Sequence, residues 1–362
     1  MSSITTAPPR RNLRRLIGVG LLAIVGVGLA VSQFAGGAPV TVAGPVGGEK
    51  IGFLEDPAVA QILLDRYDLI VDPERAGSLD MVRTVDPEAD FLWPSSEVAL
   101  ALYEETNGEA DDENIFNSPI VLYSWDSVTA ALTEEGLVSQ DGEVYELDLA
   151  ALVQDIQEDR QWNDVDPELG LNGGITVQTT NPNESNSGNM FSGLLATTLN
   201  GGQVVNEGTV GSVLDDVGTI YDDLGALNDS SGELFSSFLQ LGDGAYPLIA
   251  GYESQLVEFG LENEQYRQQV QERVRILYPQ PTVWSSHPLI PLTPEGERLR
   301  DALLDEEIQA IAWERHGFRS GTISGQEDPS TLDFVGIPAE IDSVVQMPSP
   351  EVMTQIANAA SG

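Results

Sequence analysis

The stretch Thr179-Thr180-Asn181-Pro182-Asn183-Glu184-Ser185-Asn186-Ser187-Gly188-Asn189, running straight into MFSGLLATTL, reads as a strand end, a polar turn and the start of an amphipathic helix. Asn and Pro are turn residues because Asn tolerates the left-handed backbone region and Pro presets φ for a turn. Ser185, Asn186, Ser187, Gly188 and Asn189 then bring hydroxyls, amides and bare backbone to the first helical turn. There the N–H groups lack intrahelical partners and the helix dipole is positive. Such a start serves as an ordinary N-cap, since Ser and Asn are favoured capping residues. It also suits an anion or polar ligand without any arginine.

Outward from this turn, extended and helical patterns alternate. Val40 to Ala43 reads as a strand ending at Gly44-Pro45-Val46-Gly47-Gly48, followed by a helix over Ala58 to Tyr67 and a strand over Asp68 to Asp72. Asp90 to Trp93 is the next strand, with Pro94-Ser95-Ser96 opening a helix over Glu97 to Tyr103. Pro119 to Trp125 is a strongly apolar strand before a helix over Ser127 to Glu134; a helix over Leu149 to Gln157 and a strand over Ile175 to Gln178 come next. Asn200 to Gly232 reads as loops around one helix. Strands alternating with helices predict parallel α/β layers. Two segments match: Phe116-Asn117-Ser118-Pro119-Ile120-Val121-Leu122-Tyr123 and Ser285-Ser286-His287-Pro288-Leu289-Ile290-Pro291-Leu292. Each is a polar turn, a Pro and an apolar run, the pattern of two strands crossing a hinge or of two ordinary buried strands.

The 362 residues, 41% hydrophobic, suffice for one long domain or two lobes. No Cys is present, which excludes disulfides, thiolate metal sites, thiol nucleophiles and a lipidated N-terminal Cys. His287 and His316 are the only imidazoles, without HExxH or His-x-His spacing, so no metal or other cofactor is expected. No acid precedes Glu49, whereas Arg10, Arg11, Arg14 and Arg15 do; the remainder sets 58 acids against the other 12 bases, a net of −46. That field argues against nucleic-acid binding. It fits a surface kept soluble in strong salt, where the Debye length is about 3 Å at 1 M. A G+C-rich genome accounts for scarce lysine (Lys50 is the only one) but not for the acids.

At the amino end a basic tail, residues 1–15, leads into sixteen apolar residues, Leu16 to Val31. Extended over 16–38, the segment predicts a transmembrane anchor or a signal segment, and the basic flank sends the acidic body outward. Ala30-Val31-Ser32 is a weak cleavage site, and Arg10-Arg11 loosely resembles a twin-arginine export signal.

Together TTNPNESNSGNMF, GAYPLIAGYESQLVEF, VRILYPQPTVWSSHPLIPLT and AIAWERHGFRSG, in that order, resemble type II periplasmic solute-binding proteins, in the bacterial extracellular branch related to molybdate- and sulfate-binding proteins. The resemblance runs from about Val40 to Ser349. It implies a two-lobed α/β type II periplasmic-binding-protein fold joined by crossing hinge strands. Residues 40–120 and 287–349 would form lobe one, residues 121–286 lobe two, and residues 350–362 a C-terminal tail. It further implies a cleft lined by Ser185 to Asn189 from lobe two, by Ser95 and Ser96, and by the loop Gly47, Gly48 and Glu49. Tyr252, Glu253, Ser254 and the run Thr282 to Ser286, with Ser285 among them, would approach the hinge. The implied ligand is a small polar solute, with a tetrahedral oxyanion among the candidates, and the implied partner is an ABC-type permease. A tethered scaffold or sensor engaging a protein partner is the alternative use of such a fold.

Catalysis is not expected. Ser285, Ser286 and His287 are consecutive, so neighbours point to opposite faces of a strand, and no GxSxG elbow accompanies them. His316 before Gly317 reads as a helix end. Asp111-Asp112-Glu113 and Asp222-Asp223 read as solvated surface. Of two glycosylation sequons, Asn183-Glu184-Ser185 lies in the turn itself, which leaves Asn228-Asp229-Ser230 as the better candidate.

Overall fold

The computed structural model describes residues 38–322, 327–332 and 334–361. The basic tail and, but for Ala38, the apolar segment lie outside the described residues. Among the described residues no helix is long and apolar enough to cross a membrane.

Strand β1 (Val40–Val46) pairs in parallel with β2 (Leu69–Arg75). Between them a single 3-10 turn, Gly48–Lys50, feeds α1 (Ile51–Glu55) and α2 (Pro57–Tyr67). Asp56 accepts from the Ala58 N–H and Pro57 takes the first helical position, so α2 starts as its residues dictate. Helix α3 (Ser78–Arg83) leads to β3 (Phe91–Leu92), and α4 (Glu97–Asn107) follows, capped by Ser96, whose Oγ accepts from Val98 N at 3.0 Å. Next comes β4 (Glu113–Trp125), thirteen residues long. The chain continues through α5 (Asp126–Glu134), the hairpin of β5 (Val138–Asp141) and β6 (Val144–Asp148), α6 (Leu149–Gln157) and α7 (Trp162–Val165). Helices α8 (Asn186–Leu199), α9 (Leu214–Asp222) and α10 (Ser231–Leu241) precede β7 (Leu248–Tyr252). Then follow α11 (Ser254–Glu262), α12 (Glu264–Arg273), β8 (Val274–Gln280), β9 (Trp284–Pro291), α13 (Pro294–Leu303), α14 (Glu306–His316), β10 (Arg319–Ser320) and α15 (Pro350–Ala359).

Strand β4 belongs to two sheets. Its first half pairs antiparallel with β9 and β10; its second half pairs antiparallel with β7 and β8. On one side the ladder continues from β9 to β3, and Trp93 bridges to Val46 of β1. On the other side β8 carries β6 in parallel and β6 carries β5. Each half buries its own apolar cluster. One gathers Val42, Phe53, Trp93, Phe116, Leu289 and Phe318, with the Phe116 and Phe318 rings stacked at 5.1 Å. The other gathers Leu122, Leu152, Phe191, Leu194, Phe238 and Leu277. The molecule is a mixed α/β protein of two lobes, one strand shared and the return path running from β8 to β9.

Several expectations change in detail. The sheets are mixed rather than parallel, because strands that cross between lobes return in the opposite direction; among the described strands only β1–β2 and β6–β8 pair in parallel ladders. Ile175 to Gln178 forms no strand and touches β7 through one bridge, Gln178 with Ile249. Residues 350–361, read as a tail, include α15, whose Val352, Met353 and Ile356 join the second lobe's core, as do Leu332, Phe334 and Ile337 from the segment assigned by resemblance to lobe one.

The lobes are pinned at the hinge by a buried ion pair. Arg319 of β10 donates to Glu253, just after β7, from Nε at 2.7 Å and Nη2 at 2.9 Å, and Tyr278 Oη donates to the same carboxylate at 2.6 Å. Arg319 also donates to the Pro338 and Ala339 carbonyls. A planar five-donor fork satisfies this set; an ammonium does not. Arg319→Ala strands the Glu253 charge and is expected to cost about 3–5 kcal/mol in denaturant unfolding, whereas Arg319→Lys recovers only part of it.

Candidate functional site

The turn that opens α8 faces lobe one. Ser185 is the N-cap residue with extended backbone, yet no side chain caps α8; Ser185 Oγ instead lies 3.2 Å from Ser187 Oγ. Helix α4 across the cleft is capped conventionally. The two helices thus differ: Ser185 makes no side-chain cap bond, and the first turn of α8 meets the lobe boundary through Asn186. Asn186 Nδ2 donates to the Ser95 carbonyl at 2.7 Å and to Tyr252 Oη at 3.0 Å. The first of these bonds crosses from lobe two to lobe one. Ser285 Oγ donates to the same Ser95 carbonyl at 2.7 Å. The Tyr252 hydroxyl lies among Asn186, Ser285 and Ser187, and burial, with the nearby Glu49 charge, pushes its pKa well up, so it stays a neutral donor.

Behind Ser95 stands a buried charge cluster. Lys50 Nζ, fully buried, donates to Glu49 Oε1 at 2.7 Å, to Ser95 Oγ at 2.6 Å and to the Pro94 carbonyl at 3.4 Å, and lies 3.3 Å from His287 Nδ1. Ser95 Oγ also meets the Glu49 carboxylate. Burial would raise the Glu49 pKa, but the Lys50 charge, then His287, then hydrogen bonds from Lys50 and Ser95 overcome it and hold it at about 2. Burial pulls Lys50 below the usual lysine value against the opposing pull of Glu49. With the carboxylate ionised and three oxygen acceptors around the ammonium, the ion pair is the form present at neutral pH. His287 is held well below its ordinary pKa by burial first and Lys50 second. Its Nδ1, facing an ammonium, is the acceptor, which leaves the proton on Nε2, 3.4 Å from Ser285 Oγ.

Of the residues expected at the cleft, Glu49, Ser95, Asn186, Ser187, Tyr252 and Ser285 come together, and Ser185 adjoins them. Gly48 lies at the rim, where an added Cβ would meet the Arg75 guanidinium. Ser96, Gly188 and Asn189 make structural contacts. Ser96 caps α4. A Cβ at Gly188 would overlap the Thr180 carbonyl, so glycine lets α8 approach the extended segment at Thr180. Asn189 Nδ2 holds the turn through the Pro182 carbonyl at 3.2 Å. Lys50, His287 and Arg75 were not singled out as site residues. Lys50 carried a signal, being the only lysine kept in a chain otherwise emptied of it. Between the lobes, Ser78 and Asp80 face Pro182 to Asn186 around a cavity of about 10 Å³, room for one water. An open cavity of about 560 Å³ lies alongside, between Arg75 and the start of α10. Among the described residues no group of His, Asp and Glu is arranged to hold a metal ion.

His287 yields a pH test. Its folded pKa is depressed, so below about pH 6.5 the unfolded chain takes a proton that the folded chain refuses. Its contribution is complete above that value and declines as pH falls, by up to about 1.4 kcal/mol per pH unit. The unfolding midpoint of the wild type is expected to drop between pH 7 and 5.5 more steeply than that of His287→Asn; parallel curves would contradict the buried neutral ring.

No family model and no curated protein matches the sequence. Solved structures do match in fold. A sulfate-binding protein from Mycobacterium tuberculosis H37Rv aligns over 81% of this chain and 88% of its own, at 17% identity and TM-score 0.51. A periplasmic binding protein from Actinobacillus pleuropneumoniae, solved with fructose-6-phosphate, aligns over 88% and 96%, at 11% identity and TM-score 0.54. The substrate-binding protein of an ABC transporter from Agrobacterium tumefaciens aligns over 92% and 95%, at 14% identity and TM-score 0.55. The chain has the two-lobed fold of periplasmic solute-binding proteins.

Proposed function

We propose that this chain is an extracytoplasmic solute-binding protein, held at the membrane by residues 16–38, that closes its lobes on a small polar ligand and presents the closed form to an ABC-type permease. The observation that carries this reading is the side-chain-uncapped start of α8, whose Asn186 reaches across the cleft to the Ser95 carbonyl. A polar ligand entering there meets Ser185, Ser187, Tyr252 and Ser285 from convergent directions, with β4 and the β8–β9 return as the bending strands. Helix starts and hydroxyls gathered at the strand ends of an open α/β lobe are the usual setting for a small ligand. The shared fold with a sulfate-binding protein and with a protein holding a sugar phosphate supports solute binding and brings oxyanions into consideration. Strong negative charge in the body opposes anion approach except in high salt. A second reading, a tethered scaffold or sensor, is favoured by the way the chain's own Glu49 and Lys50 fill the cleft wall.

The test is thermal unfolding of the full chain in high salt against sugars, polyols, amino acids, peptides and oxyanions. A ligand at about 100 times its Kd adds about 2.7 kcal/mol of stability. A shift that is lost in Asn186→Ala and reduced in Ser187→Ala supports the receptor. A folded chain that answers nothing in the panel contradicts it and leaves the scaffold.

A further inference from the structure

Lys50 and Glu49 are adjacent in sequence, yet both carry their charge into the wall of the cleft, at 0% and 13% side-chain exposure. Such burial is costly unless each charge is paired and hydrogen-bonded. Here the carboxylate receives the Lys50 ammonium and the Ser95 hydroxyl, with the Tyr252 phenol nearby and His287 Nδ1 at 3.9 Å. An ammonium and a hydroxyl gathered beside a buried phenol are donors suited to an oxyanion. Gly47 stands against the cluster: a Cβ there would run into Ser95 Oγ, Glu49 Oε1 and Lys50 Nζ. The seat is therefore tightly built around a carboxylate supplied by the chain itself. With His287 neutral, Lys50 and Glu49 cancel, and an added anion finds no charge to neutralise unless that carboxylate leaves.

We infer that Glu49 is the specificity-determining residue of the cleft: its carboxylate, seated on Lys50 and Ser95 where a free oxyanion would sit, bars oxyanions and leaves the cleft to an uncharged polar solute. This deepens the solute-binding reading and rests on it. A tethered carboxylate competes at an effective concentration of millimolar order, so its removal is expected to tighten oxyanion binding by about 100-fold or more.

The experiment titrates sulfate, phosphate and molybdate into the full-length wild type, Glu49→Ala and Glu49→Ala/Lys50→Ala, following the unfolding midpoint against chloride at matched ionic strength. The wild type is expected to respond no more to oxyanions than to chloride. Glu49→Ala is expected to be less stable and to recover saturably with sulfate, and the double variant to lose that recovery. A wild type that binds sulfate as tightly as Glu49→Ala overturns the inference, as does a folded Glu49→Ala that treats sulfate like chloride. If Glu49→Ala folds only with sulfate present, the seat is confirmed directly. If it folds in neither condition, Glu49→Ser decides: with a short side chain vacating the seat and Lys50 uncompensated, its midpoint should rise with sulfate more than the wild type's, and equal responses overturn the inference. The two readings fail separately. A wild type that binds a neutral solute while Glu49→Ala ignores oxyanions removes only the role of Glu49. Capture of sulfate by Glu49→Ala, with no solute answered by the wild type, removes the receptor and keeps the seat.

Discussion

A single buried ammonium organises the cleft. Lys50 is fully buried, so every group that approaches must be an acceptor or must stay neutral. Glu49 supplies the opposing charge, Ser95 and Pro94 supply oxygens, and His287 turns its bare nitrogen inward. These residues come from the end of β1, the turn before α4 and strand β9, so satisfying one charge fixes three elements of lobe one. The Ser95 carbonyl, held in place by that cluster, then receives both Ser285 and the incoming Asn186 of lobe two. The contact between lobes depends in this way on a charge pair several bonds behind it.

The second constraint is mechanical. One thirteen-residue strand serves both sheets, and the chain returns through 281–283, between β8 and β9. Two paths allow bending and oppose twisting, and the Glu253–Arg319 pair sits beside them on opposite lobes. A buried pair of this kind adds little net stability over apolar packing but is intolerant of losing one partner. It ties lobe one to lobe two independently of the Asn186–Ser95 contact.

Much of this was legible in the sequence. The matched Pro-led apolar runs lie in β4 and β9, which pair with each other, because short continuous apolar runs rich in β-branched residues beside a Pro favour buried extended backbone. The first six residues of β4, Glu113 to Ser118, were not read as strand because Glu113, Asn114, Asn117 and Ser118 break the apolar pattern; the Asn114 amide is taken up by Asn117 and the His287 N–H. Asp141-Gly142 is a hairpin signal, and the β5–β6 hairpin it turns went undrawn because its strands are largely exposed. At the site, helix starts and turn residues were readable from local chemistry, which is why Ser95, Asn186 and Ser187 could be named. Lys50 and His287 were not, since their meeting joins residues 237 apart in sequence and no spacing rule predicts it. Ser96 and Asn189 show the converse: local chemistry marks a polar residue without telling a cap or turn anchor from a ligand contact.

The chain has no cysteine, so two introduced ones can be labelled cleanly. The decisive measurement is the distance between fluorophores at Asp65→Cys in lobe one and Glu158→Cys in lobe two, both exposed positions, recorded molecule by molecule across the solute panel. A receptor that closes by bending β4 and the β8–β9 return gives open and closed populations, with one solute driving the chain into the closed one and Asn186→Ala abolishing that shift. One fixed distance, unchanged by any solute in a folded chain, would contradict it.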